Sequence, residues 1–160
     1  GEAKTELAIQ LLDYNPTTYS RPKRFYPAID NALRDAAVRG VKIKLLVSHW
    51  NTDEHSVVHL KSLSLIPGVE IKVATIPAAK QGYIPFARVI HSKYMVADGK
   101  VAWIGTSNWA GGYLDTSRNL EIVVKDEALA ARAAKLHAHL WGSAYAEPLQ
   151  ITEDYPKPRK

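Results

Sequence analysis

The chain has 160 residues, 46% of them apolar, with 21 Lys and Arg against 16 Asp and Glu for a formal charge of +5, and it contains no cysteine. That composition excludes wholesale disorder, and the length suits one domain whose core stands without a staple. The missing cysteines exclude a disulfide framework, thiol catalysis and thiolate-bound metal centres, and no run approaches the ~20 apolar residues of a membrane span. In chain order, Leu7–Leu12 reads as a short buried strand, broken by the turn-forming Asp13-Tyr14-Asn15-Pro16. Pro27–Arg39 reads as a helix with Ile29, Leu33, Ala36 and Ala37 on one face, Pro27 in the first turn and Gly40 at the stop. Val41–Ser48 is a strand, Thr52–Ile66 a helix closed by Pro67-Gly68, and Val69–Ile76 an alternating strand. Residues 77–85 form a loop, residues 86–105 are strand-rich, and Leu120–Val124 is a further strand. Glu127–Tyr145 is a long helix capped by Asp126 and carrying Leu129, Leu136, Leu140 and Trp141. Strands alternating with helices predict an α/β domain, a mixed sheet sandwiched by helices, with parallel pairing among the early strands.

The segment from His91 to Asn108 contains the strongest local signal. Asp98-Gly99 between two apolar runs predicts a two-residue type I′ hairpin. That register sets Ala97 opposite Lys100, Met95 opposite Ala102, Lys93 opposite Ile104 and His91 opposite Thr106. Side chains alternate with period two, so His91, Lys93, Thr106 and Asn108 gather at one end of one sheet face. Met95, Ala97, Ala102 and Ile104 supply an apolar floor. Histidine serves as nucleophile or as general acid and base near neutrality. Lysine brings a fixed positive charge, and the asparagine amide brings N–H donors. The trio suits a phosphoryl group: lysine and asparagine hold the non-bridging oxygens while imidazole attacks phosphorus or protonates the leaving oxygen. No carboxylate cluster or second histidine at ligand spacing points to a metal, so no metal or other cofactor is expected. Taken singly, a strand histidine is more often structural, a lysine solvated and an asparagine a loop former; the shared spacing argues for a site.

His91-x-Lys93-x4-Asp98, followed by Gly105-Thr106-Ser107-Asn108, resembles the HxKxxxxD…G[ST]xN signature of the phospholipase D superfamily. Further segments are similar to the C-terminal half of one branch, the endolysosomal phospholipase-D-like exonucleases and their poxviral envelope relatives. They are Asp13-Tyr14-x-Pro16-Thr17, Phe25-x-Pro27-Ala28-Ile29-Asp30, Arg39–Leu46, Ile84–Val89 and Ile104–Trp109. The resemblance covers most of residues 7–145. It implies one phospholipase-D-type half-domain over residues 1–160, with 1–6 and 147–160 peripheral. It also implies metal-independent phosphodiester chemistry, in which two motifs face each other, one histidine forms a phosphohistidine and the other protonates the leaving alcohol and then activates water. His91 would be one of that pair, as the acid and base if the first-half histidine is nucleophile. Lys93 and Asn108 would hold phosphate oxygens, Asp98 would be structural, and Glu121 would orient the histidine.

One motif alone requires a second half as partner, from a longer chain or from a homodimer mate. Nucleic acid, single-stranded and attacked from an end, is the favoured substrate; the alternatives are a phospholipid head group, or an inert half that binds or scaffolds. Trp109 is the candidate to line the site mouth, with Tyr14 and Phe86 as further substrate contacts. The basic residues are scattered, dense only at Arg21–Arg24 and in the 157–160 tail, which reads as a solvated, Pro-broken terminus. His49 and His55 read as loop residues. With no cysteine and no Asn-x-Ser/Thr acceptor, a bacterial protein, cytoplasmic or exported, is favoured over a lumenal animal glycoprotein.

Overall fold

The structure is a computed structural model and describes residues 2–160. Its strands and helices in chain order are β1 (Glu6–Leu11), β2 (Tyr14–Asn15), α1 (Pro27–Val38), β3 (Lys42–Ser48), α2 (Val57–Ser64), β4 (Val69–Ala74), β5 (Lys93–Ala97), β6 (Val101–Gly105), β7 (Trp109–Ala110), α3 (Gly111–Asp115), β8 (Glu121–Val124), α4 (Glu127–Trp141) and β9 (Ala146–Pro148). Seven strands form one mixed sheet in the order β8-β6-β5-β1-β3-β4-β9, and β2 pairs with β7 in a two-stranded sheet. β1, β3 and β4 are parallel, as expected of strands joined through helices; β5, β6, β8 and β9 add antiparallel edges.

Helices cover both faces. On one side α1 and α2 set Leu33, Ala36, Ala37, Leu60 and Leu63 against Ile9, Leu11, Ile43, Leu45 and Val47. On the other, Ala130 and Ala133 of α4 pack on Val96. Pro27 opens α1 and Gly40 follows it at φ 89, a left-handed conformation that costs a residue without Cβ little. Asp126 caps α4 through Leu129 N–H.

Several expectations need correction. The helix read over Thr52–Ile66 is shorter. His49–Thr52 forms a separate 3-10 turn, because Ser48 accepts from Trp50 N–H and the buried Asn51 amide donates to the Leu12 and Ser48 carbonyls. Residues 86–92 are not strand: Phe86 and Arg88 hold φ 58 and 57, left-handed values that break an extended run. In α4 the buried positions are Ala130, Ala133 and His137, whereas Leu136 is 67% exposed; alanines allow a close approach to the sheet. The hairpin keeps its Asp98-Gly99 turn, with φ 53 and 65 and a bond from Lys100 N–H to the Ala97 carbonyl. Lys100 is nevertheless an extra looped residue, so Ala97 pairs with Val101, Met95 with Trp103 and Lys93 with Gly105. The floor beneath the lysine is therefore Met95, Ala97 and Trp103, and Ala102 belongs to the α4 side. The chain ends are also less peripheral than expected. Ala3 and Leu149 lie in the core, Tyr155 packs against it, and β9 is an edge strand. The 157–160 tail folds back, with Arg159 over the Tyr83 ring and Lys160 over Trp50.

Candidate active site

The site lies where β1 ends and β5 begins, outside the carboxyl ends of the parallel strands, the usual location of a ligand crevice in such sheets. Lys93 is the first residue of β5, one step beyond the Tyr94–Gln10 pair, and its side chain is buried. His91 precedes the strand and is exposed, with its ring nitrogens 3.4 and 3.5 Å from Lys93 Nζ. Burial lowers the Lys93 pKa, and the nearby Asp13 carboxylate opposes that shift.

Asn108 enters from the turn after β6. It is buried, and its Nδ2 donates to Asp13 Oδ2 at 3.4 Å, while its Oδ1 is buried without a partner. Asp13 is the residue that sequence reasoning missed as part of the site. Its turn-forming character explained it locally, yet an aspartate just past the first parallel strand was the available signal. Its backbone carbonyl accepts from Trp109 N–H, which fixes the end of β1 against the segment carrying Asn108. Burial raises the Asp13 pKa from its ordinary value; Lys160, Lys93 and His91 pull it down, and Asp53 pushes it up.

Glu121, opposite Gly105 in β8, accepts from the Ser107 N–H and hydroxyl rather than from His91. Its carboxylate lies over Gly105 so closely that a Cβ there would sit 1.7 Å from Oε2. Thr106 completes the latch, donating to Asn119 and accepting from Leu120 N–H. The Gly105–Asn108 segment is thus held from both sides, by Glu121 and by Asp13.

The other candidates are elsewhere. Asp98 sits at the far end of β5, about 17 Å of strand from Lys93. It accepts bonds from the backbone N–H groups of Lys4, Thr5 and Glu6 and from the Thr5 hydroxyl, which hold its carboxyl well below the ordinary range. Trp109 is buried with its ring 5.7 Å from that of Trp103, so it is core rather than site mouth. Tyr14 is fully buried, its hydroxyl donating to Asp30 at 2.6 Å, and it offers a substrate nothing. Phe86 is 73% exposed on the 75–92 loop, edge-on to Trp50, and remains available to a ligand. The site therefore gathers His91, Lys93, Asn108 and Asp13, with Glu121 behind them. Chemically this is a cationic and amide-donor cradle beside an accessible imidazole. Among the described residues, no group of three or more histidines and carboxylates could hold a metal ion.

Residues 17–141 match the family model described as cardiolipin synthase, PLD-like domain. The chain is 37% identical over 165 residues to the 5′-3′ exonuclease PLD3 of Macaca fascicularis, covering 95% of this chain and 34% of that protein. It is 33% identical over 153 residues to phospholipase D Z of Dictyostelium discoideum, covering 93% and 36%. It thus spans about a third of the length of those relatives. Among solved structures, NucT from Helicobacter pylori superposes with a TM-score of 0.72 at 16% identity, covering 88% of this chain and 81% of that one. Nuc from Salmonella typhimurium, a phospholipase D family member, gives 0.71 at 17% identity, covering 92% and 83%. These two show that the mixed sheet with flanking helices is the fold of that family.

Proposed function

Because the chain belongs to the phospholipase-D-like family, we propose that it supplies one histidine–lysine half of a phosphodiesterase acting through a phosphohistidine. The observation that carries the reading is the buried Lys93 Nζ 3.4 Å from the accessible His91 ring, with Asn108 beside it. Lys93 and the Asn108 amide would bind two non-bridging oxygens and stabilise charge developing on phosphorus. His91 would transfer a proton or attack, depending on the partner half. The cradle uses a lysine and an amide where a metal-dependent phosphodiesterase would present several carboxylates, which supports metal-independent chemistry.

The HxKxxxxD spacing occurs once in the chain, so the second histidine must come from another half, either a further segment of a longer polypeptide or a second copy. The exonuclease relative and the net charge of +5 favour nucleic acid, attacked from an end, as substrate, and the reading takes it as single-stranded. The relative named phospholipase D favours a lipid head group as the second reading. The absence of cysteine and of Asn-x-Ser/Thr acceptors supports a bacterial source.

The test is release of mononucleotides from a labelled single-stranded oligonucleotide in excess chelator, with the active mass measured by size exclusion. The expected result is chelator-resistant cleavage by a species larger than this chain alone. Head-group exchange with a primary alcohol, and no cleavage of the oligonucleotide, would move the assignment to lipid. Cleavage abolished by chelator, or full activity from a monomer of this chain, would overturn the mechanism.

A further inference from the structure

We propose that Asp13 is the positioning residue for Asn108, and that its ionised carboxylate keeps the Asn108 amide turned so that N–H, not C=O, is offered to the phosphoryl group. This rests on the phosphodiesterase reading of the site. An ionised carboxylate only accepts hydrogen bonds, so only the nitrogen end of the amide can face it. Asn108 Nδ2 lies 3.4 Å from Asp13 Oδ2, and its second N–H is left for a ligand. The opposite rotamer would turn Oδ1 toward a negative oxygen, and would offer a phosphate an acceptor instead of a donor.

The arrangement is anchored at both ends. The Asp13 carbonyl accepts from Trp109 N–H, and the Ser107 N–H and hydroxyl are held by Glu121. The amide itself has no other tether among the described residues, because Oδ1 is buried without a partner.

A second consequence follows from protonation. Protonated Asp13 becomes a donor, and the amide can then turn its oxygen toward it. The groups around this carboxyl are His91 and Lys93 at the start of β5, Lys160 of the folded-back tail, Asp53 after the 3-10 turn and the Tyr19 hydroxyl. Burial outweighs the nearby cations and raises its pKa. A raised carboxyl pKa means that the folded state binds its proton more tightly than the unfolded one, so stability falls as pH rises through the native pKa. Ionising Asp13 in the folded protein therefore costs stability, as expected of a residue kept for the site rather than for the fold.

Three measurements test this on the intact chain. In wild type, the Asn108 side-chain amide signals in an NMR spectrum should shift with a single proton titration, and in Asp13→Asn that titration should vanish. Asp13→Asn should melt higher than wild type above the Asp13 pKa, with the difference closing at acid pH. In the active assembly, Asp13→Ala should lower kcat at least about tenfold with little change in KM, since the interaction it removes would matter mostly in the transition state. Asp13→Asn should recover part of that loss and flatten the acid limb of the pH profile. Asn108 signals insensitive to both pH and Asp13→Asn, or a kcat and acid limb unchanged in Asp13→Ala, would overturn the proposal. A wild-type protein that cleaves no phosphodiester would instead count against the phosphodiesterase reading, and the NMR and melting results would still decide the role of Asp13.

Discussion

Asp98 is the motif residue whose role the geometry moves furthest from chemistry, so its replacement separates scaffold from site. Its carboxylate accepts from Lys4 N–H at 2.9 Å, Thr5 N–H at 2.8 Å, Thr5 Oγ1 at 2.9 Å and Glu6 N–H at 3.0 Å. These bonds clamp the hairpin tip to the start of β1. A net hydrogen bond contributes about 0.5–1.5 kcal/mol, and this half-exposed tip calls for the low end, giving about 2 kcal/mol for the set. Asp98 also holds φ 53. Alanine in that left-handed conformation adds about 1 kcal/mol of strain. Asp98→Ala should therefore lose about 3 kcal/mol, a Tm drop of roughly 6–12 °C for a domain this size. Asp98→Asn keeps a residue tolerant of the turn and one accepting oxygen, and should lose about 1 kcal/mol.

The sign with pH follows from the depressed pKa. The unfolded chain binds the Asp98 proton more readily, so the stabilisation is complete above the unfolded value near 4 and fades as pH falls below it. Melting curves of wild type and Asp98→Asn between pH 3 and 7 should converge at the acid end. Both variants should keep most of their turnover below their melting temperatures. An unchanged Tm in Asp98→Ala together with lost turnover would return Asp98 to the chemistry.

Gly105→Ala should destabilise the hairpin edge by about 1–3 kcal/mol, because its Cβ would meet Glu121 Oε2 at 1.7 Å and the Trp103 ring at 2.6 Å, and displaced Glu121 should cost turnover as well; urea melts and kinetics check both. Asn108→Ala should reduce turnover by about 10²–10³ while leaving the melting temperature close to wild type, as expected of a lost charge-stabilising donor. Tyr14→Phe should cost about 1–3 kcal/mol in a denaturant melt, since it leaves the buried Asp30 carboxylate with only Arg34; an altered KM instead would restore Tyr14 to the substrate surface.

The site was legible in the sequence where its residues are close along the chain. His91, Lys93 and Asn108 are linked by one hairpin, and Asp98-Gly99 announces its turn. The register slipped because a looped Lys100 is indistinguishable, in sequence, from the first residue of the next strand. What failed was long-range. Trp109 reads as a mouth residue because it follows Asn108, yet the β2–β7 pairing draws it into the core against Trp103. Tyr14 reads as a substrate contact because its segment is expected to flank the site in the fold, while its hydroxyl is buried against Asp30. Asp13 reads locally as a turn former, whereas its contact with Asn108 spans 95 residues of chain.

The proposed phosphodiester chemistry rests on His91. The most direct measurement compares wild type and His91→Ala in the assembled protein, on a labelled single-stranded oligonucleotide and on a phospholipid with a primary alcohol acceptor, in excess chelator. Wild type should cleave at least one substrate, and His91→Ala should lose about 10²-fold or more at unchanged melting temperature. Turnover by His91→Ala at the wild-type rate would contradict it.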